Sequence, residues 1–241
     1  MWCAFSCLER IAKMLPAVKS DPYHWPFNAR WSPADTALVI IDMQTDFLKP
    51  GGYCDLMGLD IGLTSAAIEP TRRVLARMRE LGFTIIHTRE GHRRDLSDLN
   101  DNKRWRSARI GSEIGCAGPC GRVLTRGEPG WDIVLELYPQ SGEPIVDKPG
   151  KGSFHATDFE LILTRGGIRN LVFAGVTSDC CVHTTMTNAN DKGYECLLLE
   201  DCSAALEARN HRMITAITAK RGGQFGAVAA SSAILAALAA G

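Results

Sequence analysis

From Thr36 onward, short apolar runs alternate with longer stretches whose apolar positions recur at helical spacing. The run at 36–41 (TALVII) is apolar and β-branched, as a strand buried on both faces requires. Residues 68–81 place apolar side chains three and four apart and end at Gly82, which predicts a helix with a glycine stop. Further strands are predicted at 83–87, 143–147, 170–174, 194–199 and 224–228. Helices are predicted at 158–165, from about 181 to 192, and at 204–220. Strand and helix in alternation mean βαβ units. The fold class expected is therefore α/β, a three-layer αβα arrangement around a central, mostly parallel sheet of about six strands.

Two stretches break the rhythm. Residues 89–131 are rich in Arg, Gly and Asp with little periodicity, a long excursion of the kind that carries substrate or interface contacts. Residues 1–33 read as an N-terminal extension ahead of one domain spanning 34–241. The first twenty lack a basic start and a continuous apolar stretch, so a short amphipathic docking helix is expected rather than a secretory signal. The Ala-rich segment 227–240 predicts a surface helix packed through Ile234 and Leu235.

Composition narrows the function classes. The 27 basic and 27 acidic residues cancel, leaving no net field to attract nucleic acid or an anionic membrane. The clusters His92-Arg93-Arg94 and Lys103-Arg104-Trp105-Arg106 are read as a solvated face or an internal ion-pair network. No run approaches the ~20 apolar residues of a membrane span. Nine cysteines, an odd number in a chain long enough for an ordinary core, point to free thiols in a reducing, cytoplasmic compartment. Cys116 and Cys120 have no second pair at metal-binding spacing, so neither a metal nor another cofactor is expected.

Candidate chemistry gathers at strand ends. Asp42 follows TALVII, Lys148 follows EPIVD, and Cys180-Cys181 follows NLVFAGVTSD. Parallel sheets bind ligands beyond the carboxyl ends of their strands, so these residues can converge although far apart in sequence. A thiol is mostly protonated at neutral pH, and a nucleophilic cysteine needs a base, a cation or a helix N-terminus beside it. Asp42 could take the thiol proton, Lys148 could hold an anion in place, and turn N–H groups could face an oxyanion. Taken singly, each residue has an ordinary explanation: a buried inert thiol, a turn-forming Asp, a solvated Lys.

Three blocks resemble the signatures of isochorismatase-like hydrolases: Asp42-Met-Gln-Thr-Asp-Phe47, Lys148 before a Gly-rich turn ending Ser153-Phe154, and Gly175-Val-Thr-Ser-Asp-Cys-Cys181-Val-His-Thr-Thr185. The resemblance covers roughly residues 34–230 and implies a Rossmann-like sheet with a catalytic Asp42, Lys148 and Cys181. It places the nucleophile at Cys181, with Cys180 a packed bystander. It also implies a cis peptide joining Val176 and Thr177, an oxyanion hole from the N–H groups of Thr177 and Cys181, and a homotetramer.

Longer matches, among them His87-Thr-Arg-Glu-Gly-His92 and Asn102-Lys-Arg-Trp-Arg-Ser107, are similar to the biuret-hydrolysing branch of the family. The resemblance thus implies a cysteine amidohydrolase cutting a ureido C–N bond, biuret to allophanate and ammonia, with a small amide as its only partner. Triuret and ureidoacrylate or N-carbamoyl hydrolysis are the alternatives. Phe47, Gln44, Arg221 and Gln224 are the candidate substrate-binding residues, and the Gly51–Tyr53 loop is a candidate pocket wall. Arg221 stands where that branch has Gln, and an Arg donates hydrogen bonds but accepts none. His87 is expected to pack at a strand end and His92 to have a surface or loop role. An inactive relative would have lost a member of the triad, and a redox sensor would use Cys180 and Cys181 without needing Asp42.

Overall fold

The computed structural model describes residues 14–241. Six strands form one all-parallel sheet: β1 (Thr36–Ile41), β2 (Thr84–Glu90), β3 (Ile145–Lys148), β4 (Asn170–Val176), β5 (Glu195–Ala204) and β6 (Ala227–Ala229). Their spatial order is β3-β2-β1-β4-β5-β6. The order reverses between β1 and β4, and such a switch point opens a crevice at the carboxyl ends.

Period-two alternation divides the strands between two cores. Leu38 and Ile40 of β1, Val172 and Ala174 of β4, and Leu197 and Leu199 of β5 face one side. Their neighbours Val39, Phe173 and Leu198 face the other. Helices α1 (Ile68–Glu80) and α6 (Ser231–Ala240) cover the first face through Val74, Leu75, Met78, Ile234 and Leu238. The second face is covered by α3 (Phe159–Arg165), α4 (His183–Asp191) and α5 (Ala208–Gly223), through Phe159, Met186 and Ile214. Fully burying each large apolar side chain contributes about 1.5–3 kcal/mol, and both faces are filled this way. This is the expected three-layer αβα architecture.

Several boundaries differ from the pattern-based reading. Strand β2 runs on to Glu90, beyond the apolar run that ends at His87, because its pairing with β3 continues through polar residues. The excursion after it contains α2 (Asp101–Arg109), whose only buried residue is Ser107, so no apolar stripe announced it. The last turn of α5 departs from helical geometry at Lys220, Arg221 and Gly222.

Of the N-terminal extension, residues 1–13, where most of the expected docking helix falls, lie outside the described residues. Residues 14–20 form no helix. Trp25 and Trp31 are fully buried in the same core cluster as α1, and Asp21 pairs with Val228 at the sheet edge. No helix among the described residues is long and apolar enough to cross a membrane.

Candidate active site

Sheet register brings the strand-end residues together. Glu90 lies opposite Lys148 across β2 and β3, while Ile41 lies opposite both Thr88 and Gly175. Asp42, the residue after Ile41, has φ 51°, a left-handed conformation that Asp tolerates better than most side chains. Its Oδ1 accepts from Thr88 Oγ1 and its Oδ2 from Lys148 Nζ, each at 2.6 Å. Lys148 Nζ also donates to Gly150 O at 3.1 Å and lies 3.8 Å from Glu90 Oε2. At Gly175 a Cβ would collide with the backbone of Ile41, so only glycine lets β1 and β4 approach this closely.

Cys181 sits in a π-type turn, Ser178–Val182, that opens α4. Thr177 O accepts from the N–H groups of Cys180 and Val182, which ties the turn to the end of β4. The peptide joining Val176 to Thr177 is cis. Cys181 Sγ donates to Glu90 Oε2 at 3.1 Å, so the carboxylate that holds the thiol here is Glu90. The ligand atoms of Asp42, Glu90 and Cys181 lie within 4.8 Å of one another, the one such group among the described residues. Lys148 already places a positive charge between the two carboxylates.

Glu90 is fixed at both ends. Its backbone is clamped by Gln44, whose Oε1 accepts from Glu90 N at 2.7 Å and whose Nε2 donates to Glu90 O at 3.0 Å. The same Nε2 donates to Trp131 O at 2.7 Å. At the side chain, Lys103 Nζ reaches in from α2, donating to Glu90 Oε1 at 2.6 Å and to Pro149 O at 2.9 Å.

The two carboxylates are pushed in opposite directions. Burial raises Asp42 above the ordinary carboxylate range, although Lys148 opposes it. Burial works the same way on Glu90, but the ammonium groups of Lys148, Lys103 and Lys151 outweigh it and hold Glu90 far below that range. Burial opposes the charge on Lys148, and its carboxylate neighbours, Asp42 foremost, more than offset it and keep the ammonium protonated. A hydrogen bond with Cys180 and burial together raise the Cys181 thiol, which favours the neutral form that donates to Glu90. In a pair pushed apart this way, the raised carboxyl is the better suited to proton exchange and the lowered one to remaining an anion.

These groups border a cavity of about 880 Å³. Its floor includes Glu90, Thr177, Cys180 and Cys181, and its walls include Phe47, Tyr53 and Lys151. Helix α2 supplies the outer rim with Asn102, Lys103, Trp105, Arg106 and Arg109.

The profile of the isochorismatase domain matches residues 36–230. The chain belongs to the isochorismatase family. Among curated relatives it is 33% identical to the ureidoacrylate amidohydrolase RutB of Azorhizobium caulinodans over 174 residues, 70% of this chain and 76% of that one. It is 30% identical to the protein of the same name from Serratia proteamaculans, over 74% of this chain and 73% of that one. A crystal structure of a cysteine hydrolase from Pseudomonas syringae superposes with a TM-score of 0.74 at 23% identity, covering 93% and 98% of the two chains. An N-carbamoylsarcosine amidase from Thermoplasma acidophilum superposes at 0.62 with 22% identity, covering 82% and 96%. At these identities the two structures speak for the fold alone.

For an isochorismatase-family chain, the residues expected at the site fall into two groups. Asp42, Lys148, Cys181 and Thr177 converge, and Phe47 lines the cavity with Tyr53 of the Gly51–Tyr53 loop. Gln44 does not line the cavity, because its amide is used on backbone groups. Arg221, in the non-helical last turn of α5, and Gln224, just after that helix, are exposed and lie outside the lining. Cys180 differs from a packed bystander. It borders the same cavity as Cys181, since the wide π-type turn presents both. His87 is buried against Glu143, at 2.9 Å. His92 lies in the loop after β2, as one of its two expected roles has it, but buried and 3.2 Å from Asp98 rather than at the surface.

Glu90, Lys103, Lys151 and Thr88 are the residues that pattern reading passed over. Glu90 was findable: extending the second strand from His87 through Thr-Arg-Glu to Gly91 puts a carboxylate at a strand end beside Asp42. For Lys103 the sequence carries no such signal. It stands in a basic cluster, and only the fold of the excursion brings it to Glu90.

Proposed function

We propose that this chain is a cysteine amidohydrolase that cleaves a ureido C–N bond in a small amide. The observation that carries the reading is Cys181 at the cavity floor, beside a proton-exchanging Asp42 whose carboxylate is gripped by the buried Lys148. In the first half-reaction Sγ attacks the ureido carbonyl carbon and its proton passes to Asp42. The oxyanion rests on the N–H groups of Thr177 and Cys181. The C–N bond then breaks, and Asp42 returns the proton to the departing nitrogen. Water, deprotonated by Asp42, cleaves the S-acyl intermediate and restores the thiol.

Within this class the cavity favours a ureido acid over biuret. A volume of about 880 Å³ greatly exceeds what a biuret molecule fills. The rim beyond the thiol carries the cations Arg106 and Arg109, suited to a carboxylate at the far end of the substrate. The RutB relatives, named for ureidoacrylate, support the same preference. As part of this reading the chain assembles as a homotetramer, which light scattering of the purified protein tests.

Ammonia release from ureidoacrylate, biuret, triuret, N-carbamoylsarcosine and nicotinamide tests the function, with Cys181→Ser run alongside. The expected outcome is turnover of a ureido compound, fastest with a ureido acid, falling by at least about a thousandfold in the variant. Turnover surviving in Cys181→Ser would refute the mechanism. Activity on nicotinamide alone would refute the substrate class.

A further inference from the structure

Two carboxylates flank Cys181, and they sit differently toward the cavity. Asp42 lies behind the thiol, bonded to Thr88 and Lys148, and does not line the cavity. Glu90 does line it, and Glu90 Oε2 is the atom that accepts from Cys181 Sγ. Its other oxygen is taken by Lys103 at 2.6 Å. A ligand whose carbonyl approaches Sγ therefore meets a carboxylate oxygen at once, and that oxygen loses its present donor when the thiol gives up its proton.

We propose that Glu90 is the substrate's N–H acceptor: when a ligand enters, Glu90 Oε2 exchanges the Cys181 thiol for an N–H next to the scissile carbonyl. The exchange keeps the buried carboxylate satisfied throughout, whereas a ligand without that N–H would leave Oε2 no hydrogen-bond donor, with only the Lys148 ammonium 3.8 Å away. It also releases the thiol proton toward Asp42 only when a fitting ligand is in place. Lys103 is the positioning residue, holding Oε1 so that Oε2 stays aimed at the cavity. The site thus selects carbonyl compounds bearing an N–H and discriminates against esters of the same size and against anions beside the reacting carbon. The neighbouring lysines keep Glu90 anionic, so it accepts in every working state and is not the base.

The inference rests on the proposed role of Cys181 as nucleophile, and its test does not depend on any substrate being turned over. Two neutral electrophiles of similar size differ in the feature at issue: 2-chloroacetamide carries N–H groups and methyl chloroacetate carries none. Each forms an S–C bond and expels chloride. Alkylation of Cys181 by each is followed by peptide mass spectrometry, which separates it from Cys180, and the amide-to-ester rate ratio is divided by that of N-acetylcysteine.

For the wild type this normalised ratio is expected to be roughly tenfold or more above one, the worth of a hydrogen bond to a charged acceptor. In Glu90→Gln the new Oε1 must face Lys103, which can only donate, so an NH₂ group faces the cavity. The ratio then falls to one or below. A wild-type ratio near one, or the same elevated ratio in both proteins, overturns the proposal. Should Glu90→Gln not fold, Glu90→Asp retracts the carboxylate by one methylene. A several-fold drop is expected there, and an unchanged ratio overturns the proposal equally. If no ureido compound is hydrolysed yet the wild-type ratio is high and falls in the variant, the proposed reaction is wrong and the acceptor role stands.

Discussion

Asp42 and Glu90 are both buried carboxylates in contact with lysines, yet their surroundings push them in opposite directions. Asp42 has Lys148 as its sole cationic partner, and burial still raises it above the ordinary range. In the proposed mechanism Asp42 must be ionised to accept the thiol proton, so activity should be lost as pH falls through that raised pKa. The acid limb of kcat/KM for the favoured ureido substrate is therefore expected above the usual carboxylate range, which centres near ~4. A limb at or below ~4 would show that another group carries the proton. At this scale the sequence was legible where a reactive residue ended an apolar run, as Asp42, Lys148 and Cys181 do. It was misleading where polarity stood in for function. Gln44, expected as a substrate ligand, spends its amide on Glu90 and Trp131. Arg221 and Gln224 were singled out by alignment of a motif, and the kinked end of α5 leaves them exposed.

Among the elements, β1 and β4 were readable because strands covered on both faces are apolar at every position. Their close approach at Gly175 gives a direct test. Gly175→Ala must push Ile41 away and move Asp42 with it, so a loss of about 3–4 kcal/mol or more is expected, read as a lower urea midpoint or failure to accumulate folded protein. The short helix Thr45–Leu48 offers a second test. Its buried Asp46 accepts from Leu124 N at 2.9 Å and Tyr53 N at 3.2 Å, joining the excursion to the Gly51–Tyr53 loop. Burial raises Asp46 to about 6 against those two bonds. An acid raised on folding contributes stability that is complete below its unfolded pKa and is lost as pH rises through the folded one. Between pH ~4.5 and ~7.5 the wild type should therefore lose on the order of 2 kcal/mol relative to Asp46→Asn. Urea unfolding of both proteins at the two pH values measures it, and a constant difference would contradict the assignment. Helix α2 was illegible for a plain reason: with one buried residue it has no apolar stripe, and lining a cavity leaves no periodic mark.

On the scale of the whole molecule, the alternation of strands and helices carried the fold class, and chain order alone could not show where the flanking segment went. Residues 14–33 read as an extension because they lack periodicity. Trp25 and Trp31 nonetheless pack edge to face at 5.4 Å inside the main core, and Trp31 Nε1 donates to Pro16 O at 2.9 Å. Trp31→Ala should cost about 3–5 kcal/mol in urea unfolding, as for an aromatic removed from a core. A loss below ~1 kcal/mol, the scale of a surface change, would mean this segment is an appendage after all. Helix α2 shows a second arrangement on this scale. It enters the chain between β2 and β3, the strands whose ends carry Glu90 and Lys148, and it sends a single side chain, Lys103, down to the reacting groups. The strand ends and the turn after β4 thus hold the candidate reacting groups, while one stretch between two strand ends supplies much of the cavity's outer border. If the proposed reaction holds, this stretch can vary in the residues it turns to the cavity while Lys103 keeps its bond to Glu90 and the reacting groups stay where the strand ends put them.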